Sequence, residues 1–482
     1  MITDNDALEP VEVVPAETDE SGGNKGWGTA IAWLVILLVT GLIVTMQMSR
    51  SRPRPEENGG QLAKTLFEFQ VRYMLGAAWV LGDQGDSGIA SYLDRFKPTA
   101  DWQRVRIGIL AGEMSGPEAA IDKLRAIKEP SESAGAEVGD GVPLDVLTRL
   151  YRDYSEDRLS APSVSERERR RLRSRLGWFG KLALAPRGRQ EPLRNQVISS
   201  ARAAFYTVVG GVLLIGIAGL VGLFVLITFV ALLLGGGMRG LKPSQGNGGI
   251  YAEAFACWLL LFLFLNLVGS TWFGSERVAS ASLLSLGGSI LAVGWPWIRG
   301  IPWPRLREEL GWTAGRGLLR EGIAGVGCYA MAIPLVIMSV IVVSLMLNFA
   351  GGDMDPGKAP VHPAAEWLVD GSWWQRIQLL LLACVAAPIL EETMFRGFFY
   401  RHLREATGAM STWISVLLSA LIASAFFAVL HPQGLLAAPG IIGIGLALAF
   451  MREWRQSLVP SMLAHAINNA IIMVFLMTVL ST

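Results

Sequence analysis

Two adjacent carboxylates and an arginine interrupt an apolar stretch late in the sequence, in the segment Glu391-Glu392-Thr-Met-Phe-Arg396. Charged side chains in membrane-type sequence are costly, so they mark candidate functional sites. Glu392 and Arg396 are four residues apart and would share one face of a helix, whereas Glu391 would point about 100° away from Glu392. This spacing predicts that Arg396 neutralises Glu392 and leaves Glu391 available for chemistry.

Two histidines and an asparagine add polar groups to the apolar segments that follow. His431 precedes Pro432, which disfavours a helical backbone and puts His431 at or near a helix end. His465 and Asn469 are four residues apart in the last apolar segment, so they face the same way on a helix. These helices can pack as neighbours and bury their polar groups against each other, away from lipid.

A carboxylate, two imidazoles and a carboxamide around one cavity suggest hydrolysis. Glu391 can take a proton from water and return it to a leaving amine. A histidine can share that role, and the carboxamide N–H of Asn469 can stabilise an oxyanion. Glu391, His431 and His465 also match the ligand types of a catalytic Zn²⁺ site with an open position for water. The sequence leaves both a zinc-bound and a metal-free water open.

The elements that must position these residues are expected to be membrane helices. Of the 482 residues, 51% are hydrophobic, and the mean hydropathy of +0.40 is too high for a soluble protein. The candidate spans are 29–48, 204–235, 251–271, 278–297, 322–349, 377–400, 412–430, 436–451 and 459–480. We therefore predict an all-α, polytopic membrane protein with about nine spans and a small helical extramembrane domain after the first.

We divide the chain into five regions. They are a disordered tail (1–27), a transmembrane anchor (28–49), an extramembrane helical domain (50–200), additional spans (201–300) and a membrane core (301–482). The tail is polar and acidic, which favours disorder. The anchor has an acidic start and is followed by arginines, unlike a cleaved secretory signal. In the domain, apolar residues recur at helical spacing, as at Leu62, Leu66, Phe69 and Tyr73.

A run of six arginines between residues 167 and 175 leads into Leu176, Trp178 and Phe179. One interpretation is a helix that lies on anionic lipid. The other is a solvated charged segment between the domain and the membrane. The sequence does not decide between them, and a position beside a membrane segment disfavours nucleic acid as the partner.

The charge distribution leaves the orientation in the membrane open. The arginines between residues 297 and 321 favour a cytoplasmic loop, which puts residues 50–200 outside and the N-terminus inside. The basic flanks of residues 50–200 favour the reverse. The net charge of +1 gives no sign of a nucleic-acid partner. We expect an integral protein of the bacterial inner membrane, with the lipid bilayer and a membrane-associated substrate as partners.

In order and spacing, three motifs resemble those of the CAAX prenyl protease and bacteriocin-processing (CPBP) family of intramembrane peptidases, also called Abi proteins. The motifs are Glu-Glu-x-x-x-Arg from Glu391, Phe-x-x-x-His ending at His431, and His-x-x-x-Asn from His465. The resemblance covers roughly residues 300–480 and is specific as a set. It implies a helical core like that of type II CAAX prenyl endopeptidases, in which Glu392 and Arg396 shape the site.

By position, the resemblance implies that Glu391 activates the water and that His431 assists it or binds a metal. His465 and Asn469 would bind the oxyanion or a metal. Members of the family cleave near the C-terminus of prenylated proteins, process small peptides or confer bacteriocin immunity. Some are described as metal-dependent, and a glutamate mechanism is also argued. We therefore expect an endopeptidase that hydrolyses a peptide bond of a membrane-associated peptide or protein, prenylated in part of the family.

Two other functions remain open from the sequence. The first is a non-catalytic membrane scaffold or bacteriocin-immunity protein, in which the polar groups are helix clamps and interhelical glue. The second is a transporter that uses Glu391 as a proton relay. The sequence has no paired Gly/Pro-interrupted spans in two matching halves, which argues against the transporter. The presence of all four polar groups favours the enzyme, because a scaffold needs no such set.

Overall fold

The computed structural model describes residues 22–50, 61–82, 100–127, 137–138, 141–158, 162–188, 192–238, 240–241, 246–273, 278–349, 371–433 and 437–481, with residues 89, 93, 96, 98 and 368 between them. The first helix, α1 (Gly22–Arg50), begins before the expected start of the anchor at residue 28. The remainder of the expected disordered tail, residues 1–21, lies outside the described residues.

The described part of the chain is almost entirely helical. The extramembrane region contains α2 (Gln61–Leu81), α3 (Asp101–Ser115), α4 (Pro117–Arg125), α5 (Leu144–Ser155), α6 (Glu166–Leu176) and α7 (Trp178–Ala183). Two two-residue strands, β1 (Glu137–Val138) and β2 (Val142–Pro143), pair antiparallel. The expected all-α fold is confirmed, with this minimal hairpin as an addition.

The membrane region follows as a series of long apolar helices. It contains α8 (Pro192–Leu234), α9 (Gly248–Phe273), α10 (Val278–Ser289), α11 (Trp295–Ile298), α12 (Trp303–Leu310), α13 (Leu318–Phe349), α14 (Trp373–Leu381), α15 (Ala387–Glu392), α16 (Tyr400–Ala406), α17 (Thr412–Leu430), α18 (Ala438–Arg455) and α19 (Val459–Ser481). A 3₁₀ turn, Ile290–Gly294, joins α10 to α11, and π-helical segments join α14 to α15 and α15 to α16.

Eight helical segments among the described residues are long and apolar enough to cross a membrane, against the nine expected. They are Trp27–Met48, Pro192–Leu234, Gly248–Trp272, Ser280–Ile298, Leu318–Met346, Trp373–Ala406, Thr412–Leu430 and Val459–Thr478. The expected span at 436–451 lies in α18, which packs against α13 and α17 within the bundle. Its last turn carries Arg452, Glu453 and Arg455, which explains why its composition is less apolar.

Helix α1 runs along the bundle from one end to the other. The Trp33 indole donates a hydrogen bond to Nε2 of His402, near the end of α16, at 2.9 Å. Further along α1, the Gln47 side chain donates to the Leu430 carbonyl, at the end of α17, at 3.1 Å. The chain therefore enters the extramembrane domain at the end of the bundle where α17 ends and His431 follows.

The extramembrane domain has its own apolar core, which includes the first turns of α8. Leu75, Leu147 and Val197 have no exposed surface in this core. Helices α2 and α8 approach closely at Gly76, where an added Cβ would lie 2.1 Å from the Ala201 carbonyl oxygen. Because α8 continues into the membrane region, one uninterrupted helix links the core of the domain to the bundle.

The domain also contacts the bundle through the first half of α2. Leu66 packs against a small apolar cluster that contains Leu379 of α14 and Met473 of α19. The rings of Phe69 and Phe475 meet edge to face, with 6.1 Å between their centroids. The domain thus lies against α19, which carries His465, and against α14, which leads into the helix that carries Glu391.

Polar side chains are also buried at the opposite end of the bundle. Glu453 is fully buried and accepts hydrogen bonds from Tyr400 at 2.9 Å and from Arg404 at 3.1 Å. Arg401 donates to the main-chain carbonyl of Glu309 at 2.8 Å. His402, which follows Arg401, is 4% exposed and is therefore buried in the bundle. This network joins α12, α16 and α18.

Candidate active site

The helix that carries both glutamates changes its hydrogen-bonding pattern on each side of them. α15 is preceded by a π-helical segment at Leu382–Ala386 and followed by another at Thr393–Phe399. Such bulges insert a residue into the helical turn, redirect the side chains around it and occur often at functional sites. In the first bulge the Ala387 N–H donates to the carbonyl of Leu382, five residues back.

Asn469 completes the hydrogen bonding of this first bulge. In the same pattern the Ala383 carbonyl would accept from residue 388, but Pro388 has no N–H. The Asn469 side chain instead donates to the Ala383 carbonyl at 2.7 Å. Its side-chain oxygen accepts from Asn468 at 3.2 Å. Asn469 therefore holds the backbone of the glutamate helix with one of its two side-chain N–H groups.

Glu392 and Arg396 form a buried ion pair along their own helix. The Arg396 guanidinium donates to Glu392 Oε1 at 2.9 Å, and both side chains have no exposed surface. A second guanidinium nitrogen donates to the Gly445 carbonyl at 3.1 Å. The guanidinium carbon also lies 4.5 Å from the centroid of the Phe427 ring, a cation–π geometry. Arg396 is thus held from three sides, by α15, α17 and α18.

His465 connects the two glutamates. Its Nδ1 lies 3.0 Å from Glu392 Oε1, and its Nε2 lies 3.9 Å from Glu391 Oε2. Because the paired Glu392 carboxylate can only accept, the proton of a neutral His465 ring sits on Nδ1 and the lone pair on Nε2. A carboxylate partner on Nδ1 is also the arrangement that orients histidines which bind metals.

His431 approaches Glu391 from a different helix with the same tautomer. α17 ends at Leu430, and His431 has an extended backbone, which confirms its predicted position at a helix end. Its Nδ1 donates to the carbonyl of Phe427 at 2.6 Å, because a carbonyl oxygen can only accept. Its Nε2 lies 3.8 Å from Glu391 Oε2. Both histidines thus turn an Nε2 lone pair toward one carboxylate oxygen.

Phe427 contacts three of the polar side chains and fixes their spacing. Besides lying over Arg396, its ring is 4.2 Å from the His431 ring and 5.8 Å from the His465 ring, centroid to centroid. The sequence indicated this residue only as the start of a motif that ends in histidine. Its position four residues before His431 on one helix was the available signal. The Gly445 carbonyl and the Ala383 carbonyl carried none, because backbone groups have no sequence signature.

The two glutamates differ sharply in their surroundings. The Glu391 side chain is 19% exposed, whereas that of Glu392 is 0% exposed. Within the part of the chain that the structure describes, Glu391 Oε2 is buried without a hydrogen-bond partner. Separations of 3.8 and 3.9 Å from the histidine nitrogens are too long for direct hydrogen bonds and are suited to one bridging water.

Glu391, His431 and His465 have the donor types that Zn²⁺ prefers, and Glu391 Oε2 lacks a partner among the described residues. Their spacing fits a metal less well. Ligands at Zn²⁺ bond lengths in tetrahedral geometry lie about 3.3 Å apart, which is shorter than the 3.8 and 3.9 Å found here. Within the described ranges, no group of three His, Cys, Asp or Glu side chains is arranged to hold a metal ion. Zinc binding would require these side chains to move closer together.

Residues 372–471 match the family model described as Type II CAAX prenyl endopeptidase Rce1-like. The match begins at the residue that caps α14 and ends in α19 just after Asn469, so it contains every residue of the site. No curated protein and no solved structure shows significant similarity to the chain. The match covers the residues that build the site and leaves out the extramembrane domain. In this segment, the chain is similar to type II CAAX prenyl endopeptidases of the Rce1-like family.

Proposed function

We propose that the protein is an intramembrane endopeptidase in which Glu391 activates the water that attacks the peptide bond. One observation carries the proposal: Glu391 Oε2 faces Nε2 of both His431 and His465, at 3.8 and 3.9 Å. A water molecule between Glu391 Oε2 and either Nε2 would donate one hydrogen bond to each of these two acceptors. The neighbouring Glu392 is engaged by Arg396, so Glu391 is the carboxylate that can change its protonation state.

In the proposed reaction, Glu391 takes one proton from the water as its oxygen attacks the carbonyl carbon of the substrate. The resulting oxyanion needs a hydrogen-bond donor, and a histidine that has taken a proton from solvent on Nε2 before the attack can donate to it and keep that proton. The C–N bond then breaks, and the proton held by Glu391 passes to the leaving nitrogen. Water is consumed, and the products are a carboxylic acid and an amine.

The role proposed for Asn469 as an oxyanion donor stays a prediction. One of its two side-chain N–H groups donates to the Ala383 carbonyl. The carboxamide has a second N–H, and the oxyanion role requires this N–H to reach the substrate. We therefore assign Asn469 first to positioning the Glu391 helix, and the oxyanion role to a histidine.

Membrane-associated peptides and proteins are the substrates that fit a site within the bundle. The description of the matching family makes prenylated proteins one class to test.

The orientation of the bundle in the membrane is proposed from the arginines of residues 299–320, which lie at the end of the bundle away from the extramembrane domain. By the positive-inside rule this end faces the cytoplasm, and we place the protein in a bacterial inner membrane.

The test compares the unchanged protein with Glu391→Gln in proteoliposomes, using prenylated and unprenylated membrane peptides. Glutamine keeps the size of the side chain but cannot act as a base, so turnover should fall by about 10²–10⁴. Glu308→Gln, an exposed carboxylate on α12, is the matched control and should retain activity. Full turnover of Glu391→Gln on a cleaved peptide would refute the role of Glu391 as the base. A lack of cleavage of every peptide by the unchanged protein would instead favour a scaffold or immunity protein.

A further inference from the structure

Helix α6 of the extramembrane domain exposes a row of arginines on one face. The arginine face consists of Arg167, Arg170, Arg171 and Arg175, all of which lie at the surface. At 100° per residue they fall within a sector of about 140°. Leu172 and Leu176 are buried on the opposite side, in the core of the domain. Since the leucines hold the helix in the core, the arginines point away from it.

The acidic residues of α6 are engaged elsewhere. Ser165 and Glu168 form a capping box at its first turn, and Glu168 also pairs with Arg149. Glu166 pairs with Arg173 at 2.8 Å, at one edge of the arginine face. Arg167, Arg170 and Arg175 have no ion-pair partner among the described residues, so these three arginines carry the uncompensated positive charge of the face.

The C-terminal end of α6 lies at the level where the domain meets the bundle. Gly177 follows α6, and a Cβ added to it would lie 3.5 Å from the Glu68 carboxylate of α2. The next residue of α2, Phe69, contacts Phe475 of α19. The Trp178 indole donates to Ser200 of α8 at 2.8 Å. The last charged residue before the apolar part of α8 is Arg202. It follows Ser200 by two positions, which is a rise of about 3 Å along the helix.

We propose that the arginine face binds the anionic headgroups of the surrounding lipid. Arginine and phosphate are complementary in charge and hydrogen-bond geometry. Arg175 is three residues before Trp178, which contacts α8 close to the start of its apolar part, so the attraction to anionic lipid, which extends about 8–10 Å, can act on this end of α6.

The proposal can be tested with the full-length protein in nanodiscs. A fluorophore is attached to the variant Ser174→Cys, at an exposed position between the arginines, and quenched by a spin label on the lipid headgroups. The protein without this substitution, treated with the same fluorophore, corrects for label on the native cysteines. Quenching should be stronger in equimolar phosphatidylglycerol and phosphatidylcholine than in phosphatidylcholine alone, and high salt should abolish the difference.

Two variants that each lose four positive charges distinguish lipid binding by the arginine face from a general attraction between the positively charged domain and anionic lipid. Replacing all four residues of the arginine face by Gln should remove the preference for phosphatidylglycerol. Single replacements should weaken it by up to about fivefold each, with Arg175→Gln costing more than Arg167→Gln. The control replaces four arginines elsewhere in the domain, Arg104, Arg125, Arg152 and Arg158, which are exposed, and should keep the preference.

Three outcomes would overturn the proposal. They are equal quenching in both lipid compositions, an equal loss in the control variant, and displacement of α6 from the lipid by polyglutamate at low concentration. The last result would assign the arginine face to an acidic polypeptide. All of these readouts are independent of peptidase activity, so they stand or fall separately from the proposed function.

Discussion

Asn469 and Ala383 are joined by a hydrogen bond of 2.7 Å from the side-chain amide to the main-chain carbonyl, across two membrane helices. The bond exists because Pro388 cannot supply the N–H that the π-helical pattern would otherwise direct to Ala383. A proline in one helix and an asparagine in another therefore act as a pair. In lipid such a pair is favoured, because water cannot reach a carbonyl that lacks a partner.

This pairing predicts a rescue between two substitutions. Asn469→Ala should destabilise the protein by about 1–3 kcal/mol, because it leaves the Ala383 carbonyl buried without a donor. Pro388→Ala restores an N–H to the helix, so the double variant should recover most of the loss. Thermal unfolding in detergent measures each step, and Asn468→Ala serves as the neighbouring control.

Activity of the same variants separates two roles of Asn469. If Asn469 positions the helix, the double variant should regain turnover together with stability. Recovery of stability without turnover would instead identify Asn469 as an oxyanion donor. A double variant that is no more stable than Asn469→Ala would contradict the explanation given for the pair.

Arg396→Ala should be strongly destabilising. Removing one partner of a buried ion pair leaves a charge without compensation and costs about 3–5 kcal/mol. Arg299→Ala removes a pair at 3.2 Å with Glu253 in which the arginine side chain is 43% exposed, and should cost about 1 kcal/mol or less. If Arg396→Ala unfolds like the unchanged protein but is inactive, Arg396 acts on the substrate.

Metal dependence can be decided by treating the protein with a chelator and measuring both its activity and the amount of metal bound per protein. Activity that is lost to a chelator and restored by Zn²⁺, with metal bound in proportion to protein, would establish a site formed by Glu391, His431 and His465. The separations of 3.8 and 3.9 Å lead us to expect activity that is indifferent to the chelator. In either case His431→Ala should reduce turnover by about 10²–10⁴, since it removes one of the two imidazoles at the carboxylate.

Stability should depend on pH through Glu309, at the end of the bundle away from the site. Burial raises the pKa of this carboxyl from 4.5 to about 7, Glu405 adds to the effect, and Arg401 opposes it. The folded state therefore holds a proton more tightly than the unfolded state between these values. Stability should fall as the pH rises from about 4.5 to 7.

Unfolding followed across this pH range tests the effect. Glu309→Gln mimics the protonated side chain and should flatten the profile. Glu308→Gln, its exposed neighbour, should leave the slope unchanged. A slope that survives in Glu309→Gln would assign the pH dependence to another group.

The domain boundary can be tested with fragments. Residues 56–160 would lack Leu172, Phe179 and Val197, all fully buried in the core of the domain. We therefore expect this fragment to be unfolded by circular dichroism and residues 61–202 to be helical and cooperative. Equal folding of both fragments would mean that α6, α7 and the start of α8 are not part of the independent core.

The sequence by itself determined the fold class and the set of reactive groups. Long apolar segments can satisfy their backbone only as helices, so an all-α membrane protein followed from composition and length. The spacing of Glu392 and Arg396 was enough to pair them, because side chains four residues apart on a helix are neighbours. The proline after His431 was enough to place it at a helix end.

Only the tertiary structure decided how these groups face one another. The tautomers of His431 and His465 depend on acceptors supplied by Phe427 and Glu392, contacts that arise when three helices pack. The partner of Asn469 is a main-chain carbonyl, which has no signature in a sequence. Local spacing fixes directions within one helix, whereas distances between helices depend on the packing of all the side chains that separate them.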